Sequence, residues 1–230
     1  MQGMLLVDKP AGWTSFDVVN YVRKIVATVE GKKPKNVKVG HTGTLDPFAT
    51  GLLLLLIGKD YTRRASELTK LDKTYKATIV LGQTSTTGDP EGEITVLSDA
   101  VPTVETVQKA MGRFKGRIEQ VPPADSAIKI DGQRAYHLAR AGKAVVIEPR
   151  QVTVNSLEVV DYVYPELRLV ADVSSGTYIR TLAEDIGKDL ETGAYTTKLC
   201  RTRIGQYSLD DATSVEGLTA EYILSHLNTF

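Results

Sequence analysis

A carboxylate on a short loop rich in glycine and proline is the residue best placed to do chemistry. Asp46 precedes Pro47, which favours an extended conformation at the residue before it, and glycines stand at positions 40, 43 and 51. An apolar segment, residues 52–57, follows directly. A stiffly held carboxylate of this kind suits a nucleophile or a general base. The same residue types also make an ordinary turn, so the loop alone leaves both interpretations open.

The elements that must position this loop alternate irregularly between helix and strand. Thr14 and Asp17 resemble a capping box ahead of a helix, and alternating apolar residues from Tyr75 to Leu81 predict a strand with one buried face. The predicted elements are a helix over about 16–29, a strand over 75–81, a turn at 87–92, a helix over about 104–114, strands over 152–160 and 167–173, a helix from 177 to about 190 and a closing helix from 220. This order favours an α+β fold with a mixed, largely antiparallel central sheet flanked by helices and loops.

The composition is that of an ordinary globular protein, with 230 residues, 42% of them hydrophobic and 24% charged. No linker or repeat divides the chain, so we expect a single domain over residues 1–230. The longest apolar run, residues 52–57, is too short to cross a bilayer, and we expect a cytoplasmic protein. A single cysteine, Cys200, excludes an internal disulfide, and the three histidines lack metal-ligand spacing.

The net charge of zero conceals a gradient along the chain. Residues 1–76 carry 13 Lys/Arg against 7 Asp/Glu, or +6, whereas residues 77–160 sum to −1 and residues 161–230 to −5. Part of the basic excess comes from Lys32, Lys33, Lys35 and Lys38. A basic first third is compatible with a polyanionic partner, although a solvated loop would have the same composition.

Several motifs together resemble one family. Residues 40–51 resemble the catalytic motif of the TruB family, the bacterial tRNA pseudouridine-55 synthases. Other stretches agree in the same order: residues 8–15, 72–75, 82–89, 120–123, 126–129, 175–180 and 199–202. The resemblance spans roughly residues 4–217, which is nearly the whole chain.

The resemblance implies a pseudouridine synthase fold and an RNA isomerase that converts uridine 55 of the tRNA TΨC loop to pseudouridine. The reaction needs no cofactor and no metal, and we expect the T-arm stem-loop of tRNA as the partner of a monomeric enzyme away from membranes. Asp46 matches the essential aspartate. The sequence does not decide whether it attacks the ribose, attacks the base or abstracts a sugar proton.

The resemblance also implies roles around a flipped base. Tyr75 matches the tyrosine that stacks on the base, although a half-buried strand tyrosine gives the same pattern. Arg180 matches the arginine that pairs with the catalytic carboxylate, and Tyr178 a tyrosine that contacts the base or that carboxylate. Three further matches are Leu199, which lines the pocket or packs in the core, His41, which replaces the flipped base or contacts the RNA loop, and Lys9 with Pro10, which brace the catalytic loop.

Two features depart from the family pattern. Asp125 stands where an aromatic residue, usually tyrosine, is expected, and a carboxylate there could repel phosphate. Family members also commonly carry a PUA-type RNA-binding domain after the catalytic domain, and we expect none in this sequence.

Three alternative functions stay open. One is a pseudouridine synthase directed to another RNA, as in the guide-dependent relatives. Another is a tRNA-binding or folding module whose catalysis is secondary or lost. The third is a glycosidase with two carboxylates, for which Asp46 and Asp125 are the candidates.

Overall fold

The computed structural model describes residues 1–123, 126, 129–130, 133–134 and 147–228. The helices are α1 (Ser15–Val29), α2 (Lys59–Arg63), α3 (Ala65–Thr69), α4 (Val104–Gly112), α5 (Ile179–Asp189) and α6 (Ala220–His226). The strands are β1 (Gly3–Lys9), β2 (Val39–His41), β3 (Thr50–Ile57), β4 (Lys73–Leu81), β5 (Gln83–Ser85), β6 (Ile94–Val96), β7 (Gly116–Gln120), β8 (Lys129–Ile130), β9 (Gln133–Arg134), β10 (Arg150–Val163), β11 (Glu166–Val173), β12 (Ala194–Ile204), β13 (Tyr207–Ser208) and β14 (Thr213–Ser214). These elements confirm the predicted α+β class.

The strand pairs also confirm a mixed, largely antiparallel sheet. Antiparallel pairs join β1 to β3, β2 to β3, β7 to β10, β10 to β11 and β12 to β13. Parallel pairs join β1 to β14 and β3 to β12. The helices predicted near residues 16, 104, 177 and 220 and the strands predicted near residues 75, 152 and 167 are all present.

The chain separates into two compact units. One comprises Met1–Tyr75 and Cys200–Phe230, and the other comprises Lys76–Leu199. That both units belong to a single domain over residues 1–230 stays a prediction.

In the first unit, β3 is the central strand. It pairs with β1 along its length, from Gly3 opposite Ile57 to Lys9 opposite Gly51. Every side chain from residue 52 to residue 57 is fully buried, because both faces of the strand are covered. One face packs with α1, α6 and the residues after β14, and the opposite face packs with Leu68 of α3 and Ile204 of β12.

Helix α1 begins with the predicted capping box. The Thr14 hydroxyl accepts a hydrogen bond from the Asp17 amide at 3.1 Å, and the Asp17 carboxylate accepts one from the Thr14 amide at 2.9 Å. Val18, Val22 and Val26 then recur at helical spacing and are fully buried. The box fixes where the helix starts, and the apolar stripe fixes which face lies on the sheet.

In the second unit, β10 and β11 form a long antiparallel hairpin in a sheet with the strand order β4–β11–β10–β7. The short hairpin of β5 and β6 carries the predicted turn at residues 87–92. Helix α5 buries Ile179, Leu182, Ala183 and Ile186, which are members of the predicted stripe. Its N-cap residue, Tyr178, and Arg180 in its first turn therefore have defined places in this unit.

Candidate active site

The loop that carries Asp46 connects β2 to β3 and is anchored at several points. The Leu45 amide donates to the Ser15 hydroxyl at 2.8 Å, and that hydroxyl donates back to the Leu45 carbonyl at 3.1 Å. The Thr42 amide bonds to the Leu54 carbonyl of β3 at 3.2 Å. Leu45 and Ala49 are buried whereas Asp46 is partly exposed, so the loop holds Asp46 between two fixed apolar anchors.

Lys9 braces this loop, as the sequence predicted. Its side chain is fully buried, and its ammonium donates to the carbonyls of Trp13 at 2.6 Å, Pro10 at 2.9 Å and Pro47 at 3.3 Å. The Gly12 amide also bonds to the Pro47 carbonyl, at 2.8 Å. The segment after β1 is thus fastened to the residue that follows Asp46.

Burial makes the charge on Lys9 costly. Desolvation lowers the pKa of the Lys9 ammonium to about 8, against an opposing effect of the Asp46 carboxylate and a further lowering by Arg201. The Lys9 ammonium donates to the Pro47 carbonyl and so lies next to the residue that follows Asp46. Lys9 therefore supplies positive charge behind the candidate catalytic carboxylate.

Arg201 and Lys73 add two more buried cations, and the sequence reasoning assigned neither of them. Arg201 is 1% exposed, and its guanidinium donates to the Leu52 carbonyl at 2.8 Å and to the Gly43 carbonyl at 3.1 Å. The Lys73 ammonium donates to the carbonyls of Thr69 at 2.9 Å and Leu71 at 2.5 Å, and burial lowers the pKa of Lys73 to about 8. Arg201 therefore ties the loop of Asp46 to β3 through backbone carbonyls.

Gly51 is required where β3 meets β12. Its φ is +104°, and a Cβ there would lie 2.4 Å from the Arg201 carbonyl oxygen. Only glycine permits both the left-handed conformation and this close approach of two backbones. The glycine at the end of the sequence motif thus positions Arg201 opposite the loop.

His41 and Tyr75, both predicted site residues, belong to the same unit as Asp46. His41 ends β2 opposite Leu55 and is partly buried. Tyr75 is on β4 and is 8% exposed, as expected for a tyrosine on the apolar side of a strand. Stacking of Tyr75 on a base stays a prediction.

In the second unit, Arg180 forms a buried ion pair that the sequence reasoning missed. Its guanidinium nitrogen Nη1 donates to Asp89 Oδ2 at 2.9 Å and to the Thr87 carbonyl at 2.8 Å. The side chains of Arg180 and Asp89 are only 5% and 4% exposed. The other Asp89 oxygen accepts from the Thr87 hydroxyl at 2.6 Å and the Glu91 amide at 3.0 Å. Asp89 thereby fixes Arg180, and the predicted pairing of Arg180 with Asp46 stays a prediction.

Glu184, one turn after Arg180, adds a second acid to this pair. Burial raises the pKa of the Glu184 carboxyl, and the Arg180 charge opposes that rise. A Cβ on Gly88 would lie only 2.5 Å from Glu184 Oε1, and Gly88 has a φ of +71°. The Thr87-Gly88-Asp89 motif therefore presents a carboxylate to Arg180 and leaves room for Glu184.

Tyr178 is held through its backbone by Gln120. The Tyr178 amide donates to Gln120 Oε1 at 2.7 Å, and Gln120 Nε2 donates to the Tyr178 carbonyl at 3.0 Å. Gln120 is 2% exposed, so this two-point contact is rigid. Leu199, on β12, is 7% exposed. Asp125, the departure from the family pattern, lies outside the described residues.

The described part of the chain contains neither a group of metal-ligating side chains nor a helix that could span a membrane. No three His, Cys, Asp or Glu side chains in it are grouped so that they could hold a metal ion. No helix in that part is long and apolar enough to cross a bilayer.

Comparison with known proteins identifies the sequence family. Residues 30–179 match the model of the TruB family pseudouridylate synthase N-terminal domain, and residues 180–228 match that of the tRNA pseudouridylate synthase B C-terminal domain. The tRNA pseudouridine synthase B of Mycobacterium sp. (strain KMS) is 46% identical over 97% of this chain and 74% of its own length. That of Phocaeicola vulgatus is 45% identical, over 93% of this chain and 90% of its own length.

Solved structures agree on the fold. A chain of the structure titled "Crystal Structure of a Cbf5-Nop10-Gar1 Complex" aligns with a TM-score of 0.70 and 26% identity over 97% of this chain. A chain of the "Structure of H/ACA RNP bound to a substrate RNA containing 2'-deoxyuridine" aligns with a TM-score of 0.68 and 25% identity. This chain spans 56% and 54% of those two chains.

Proposed function

Because the chain belongs to the TruB family of pseudouridylate synthases, we propose that it converts a uridine of tRNA, position 55 in the TΨC loop, to pseudouridine. The observation that carries the proposal is Asp46, a partly exposed carboxylate on a loop fixed by Ser15, Lys9 and Arg201. A rigidly placed carboxylate backed by buried positive charge is what a nucleophile or base requires.

The reaction is an isomerisation. The bond from the uracil ring nitrogen N1 to the ribose C1′ breaks, a bond from C5 of the base to C1′ forms, the C5 proton is lost and N1 gains a proton. Atoms and electrons balance within the nucleotide, so no oxidant or reductant is consumed. In our proposal Asp46 acts on the ribose or the base and Arg180 pairs with it, while Asp89 fixes the Arg180 guanidinium.

The remaining assignments concern the flipped uridine. We assign Tyr75 to stacking on its ring, Tyr178 to contact with the base or Asp46, and Leu199 to the apolar wall of the pocket. His41 occupies the space that the base leaves or contacts the loop. Extruding a base costs a few kcal/mol, and stacking on one aromatic ring returns about 1–3 kcal/mol.

The choice of tRNA over another RNA rests on the relatives. Proteins that are 41–46% identical to this chain carry the name tRNA pseudouridine synthase B. The chains from the Cbf5 and H/ACA structures are 26% and 25% identical. We therefore propose the T-arm of tRNA as the partner, and a monomeric enzyme that acts in the cytoplasm.

The test is turnover of a defined substrate. Purified protein is incubated with an unmodified tRNA transcript, and pseudouridine is mapped by carbodiimide modification and primer extension. We expect a single modified position in the TΨC loop with the wild type and none with Asp46→Ala. Asp60→Asn, which changes an exposed carboxylate on α2, is the matched control and should retain full turnover.

The outcomes separate the alternatives. Product from Asp46→Ala would overturn the assigned mechanism. Modification only at another site in total RNA would overturn the tRNA assignment. Tight tRNA binding by both the wild type and Asp46→Asn, without turnover by the wild type, would favour the binding or folding module.

A further inference from the structure

A cavity at the beginning of α1 has no role in the reaction proposed above. Its volume is about 430 Å³, which is within the range of small-ligand sites. Its lining consists of Gly12, Trp13, Asp17, Asn20, Tyr21 and Lys24. All of these residues belong to the same unit as Asp46. We call it the α1 cavity.

Two aromatic rings form part of its wall. The centroids of Trp13 and Tyr21 lie 5.9 Å apart, and the ring planes cross at 76°. Both side chains pack against the buried core of α1 and β3, yet each remains partly exposed. The core therefore holds the rings in place while part of each faces the α1 cavity. A rigid aromatic surface of this kind favours stacking of a planar ligand.

The polar groups of the α1 cavity suit a base rather than a phosphate. The charges of Asp17 and Lys24 have opposite sign, so the lining has no net positive charge. Hydrogen bonds from Thr14 lower the pKa of Asp17, which is therefore an ionised acceptor. Asn20 Oδ1 accepts from Arg23 Nη1 at 2.6 Å, which leaves the Asn20 amide hydrogens to donate. An acceptor and a donor beside aromatic rings match the edge and the face of a nucleobase.

The α1 cavity is fastened to the catalytic loop. The Lys9 ammonium donates to both the Trp13 carbonyl, at 2.6 Å, and the Pro47 carbonyl, at 3.3 Å. The Gly12 amide adds a direct bond to the Pro47 carbonyl at 2.8 Å. The backbone of Trp13 is therefore held by the same ammonium as the residue after Asp46. The end of the α1 cavity formed by Gly12 and Trp13 therefore lies beside the loop that would receive the uridine.

We propose that Trp13 and Tyr21 form a stacking site for an unpaired base of the same RNA, next to the uridine that enters the active site. The inference rests on the proposed function, since it needs an RNA loop bound at Asp46. Loop nucleotides are suited to such a site because their bases are unstacked and can be splayed onto aromatic side chains.

The single tryptophan of the chain supplies a specific reporter, because intrinsic tryptophan fluorescence arises from Trp13 alone. Asp46→Asn protein is titrated with an unmodified T-arm stem-loop, and binding is followed independently by the anisotropy of an end label on the RNA. We expect quenching of Trp13 on binding. An abasic residue beside the target uridine should abolish the quenching, whereas abasic residues elsewhere in the loop should leave it intact.

Steady-state kinetics supply the second readout. We expect Trp13→Ala to raise KM about 5- to 150-fold, the equivalent of one stacked base, while kcat changes less than about twofold. Trp13→Phe keeps an aromatic face and should restore most of the KM. The matched control is Phe16→Ala, which removes an aromatic ring that is 58% exposed on the same helix and lies under Arg23. It should leave KM unchanged, and thermal melts confirm that each variant is folded.

The results distinguish this inference from the proposed function. Wild-type turnover together with quenching that no abasic substitution removes, or with an unchanged KM in Trp13→Ala, overturns the stacking site alone. Position-specific quenching without wild-type turnover supports the site and overturns the proposed reaction. Absence of RNA binding overturns both.

Discussion

The buried ion pair of Arg180 and Asp89 allows a quantitative prediction. Asp89→Asn preserves the shape of the side chain but removes the charge that balances a guanidinium only 5% exposed. Breaking a buried pair by removing one partner costs about 3–5 kcal/mol where no other group compensates the remaining charge, so this is the upper range for Asp89→Asn. For a chain of 230 residues, that loss corresponds to a fall in Tm of roughly 6–20 °C.

The charge state of Glu184 determines how much stability Asp89→Asn loses within that range. The Arg180 charge already lowers the pKa of this carboxyl against the effect of burial, and Asp89 raises it. Asp89→Asn removes that raising effect, so the pKa of Glu184 falls and its carboxylate replaces part of the missing charge. We therefore expect a smaller loss at pH 8 than at pH 5.

Urea unfolding followed by circular dichroism measures the loss, and turnover of the tRNA transcript measures its effect on activity. The matched control is Asp189→Asn, which breaks the pair of Arg113 and Asp189, whose side chains are 51% and 26% exposed. We expect that control to lose much less stability, because water screens both of its partly exposed partners. A loss below about 1 kcal/mol in Asp89→Asn, or one equal to the control's, would refute the assignment of a compensating role to Asp89.

Three further predictions concern the first unit. Burial lowers the pKa of Lys9 from 10.5 to about 8 in the folded chain. Between these two pH values unfolding takes up a proton, so the free energy of unfolding rises with pH, by up to about 3 kcal/mol. Urea unfolding at pH 7 and pH 10 should show a smaller rise in Lys9→Met, and an equal rise would contradict the buried charge. Gly51→Ala should lower the free energy of unfolding by more than about 3 kcal/mol, because its Cβ would lie 2.4 Å from the Arg201 backbone. Gly31→Ala, where nothing lies within 4 Å of the added Cβ, should lower it by about 1–2 kcal/mol, and thermal melts compare the two variants. Replacing the exposed Lys32, Lys33, Lys35 and Lys38 together by glutamine should weaken tRNA binding and reduce the slope of log K against log salt by up to about 3. An unchanged slope in filter binding would exclude residues 32–38 from the RNA contact.

Much of the fold could be predicted from local pattern. The capping box of Thr14 and Asp17 marks the start of α1, and the alternation after Tyr75 marks β4, because each signal depends on neighbours in sequence. The strand β3 could not be assigned in the same way. It is buried on both faces, so its side chains are apolar without alternation, and periodicity cannot distinguish such a run from a buried helix.

The candidate site could be predicted only in part, and for a related reason. Asp46 was found because its loop carries its own signal in glycine and proline. Asp89 was visible only as part of a turn, since its partner Arg180 is 91 residues away in the sequence. Arg201 lies 158 residues from Gly43, whose carbonyl it binds. Contacts between residues so far apart in the sequence depend on how the strands pack, which no local sequence pattern predicts.

The buried cations of the first unit position the loop of Asp46 at a cost in folding stability. Lys9, Lys73 and Arg201 are all at least 93% buried, and Arg201 lowers the pKa of both lysines. Each ammonium or guanidinium donates to backbone carbonyls, and Lys9 and Arg201 reach the loop of Asp46 itself. These hydrogen bonds offset part of the desolvation, but the lowered pKa values mean that the charges still oppose folding at neutral pH. An apolar replacement would stabilise the unit electrostatically and leave the loop carbonyls without donors, so the same substitutions that relieve the charge should release the carboxylate from its fixed position.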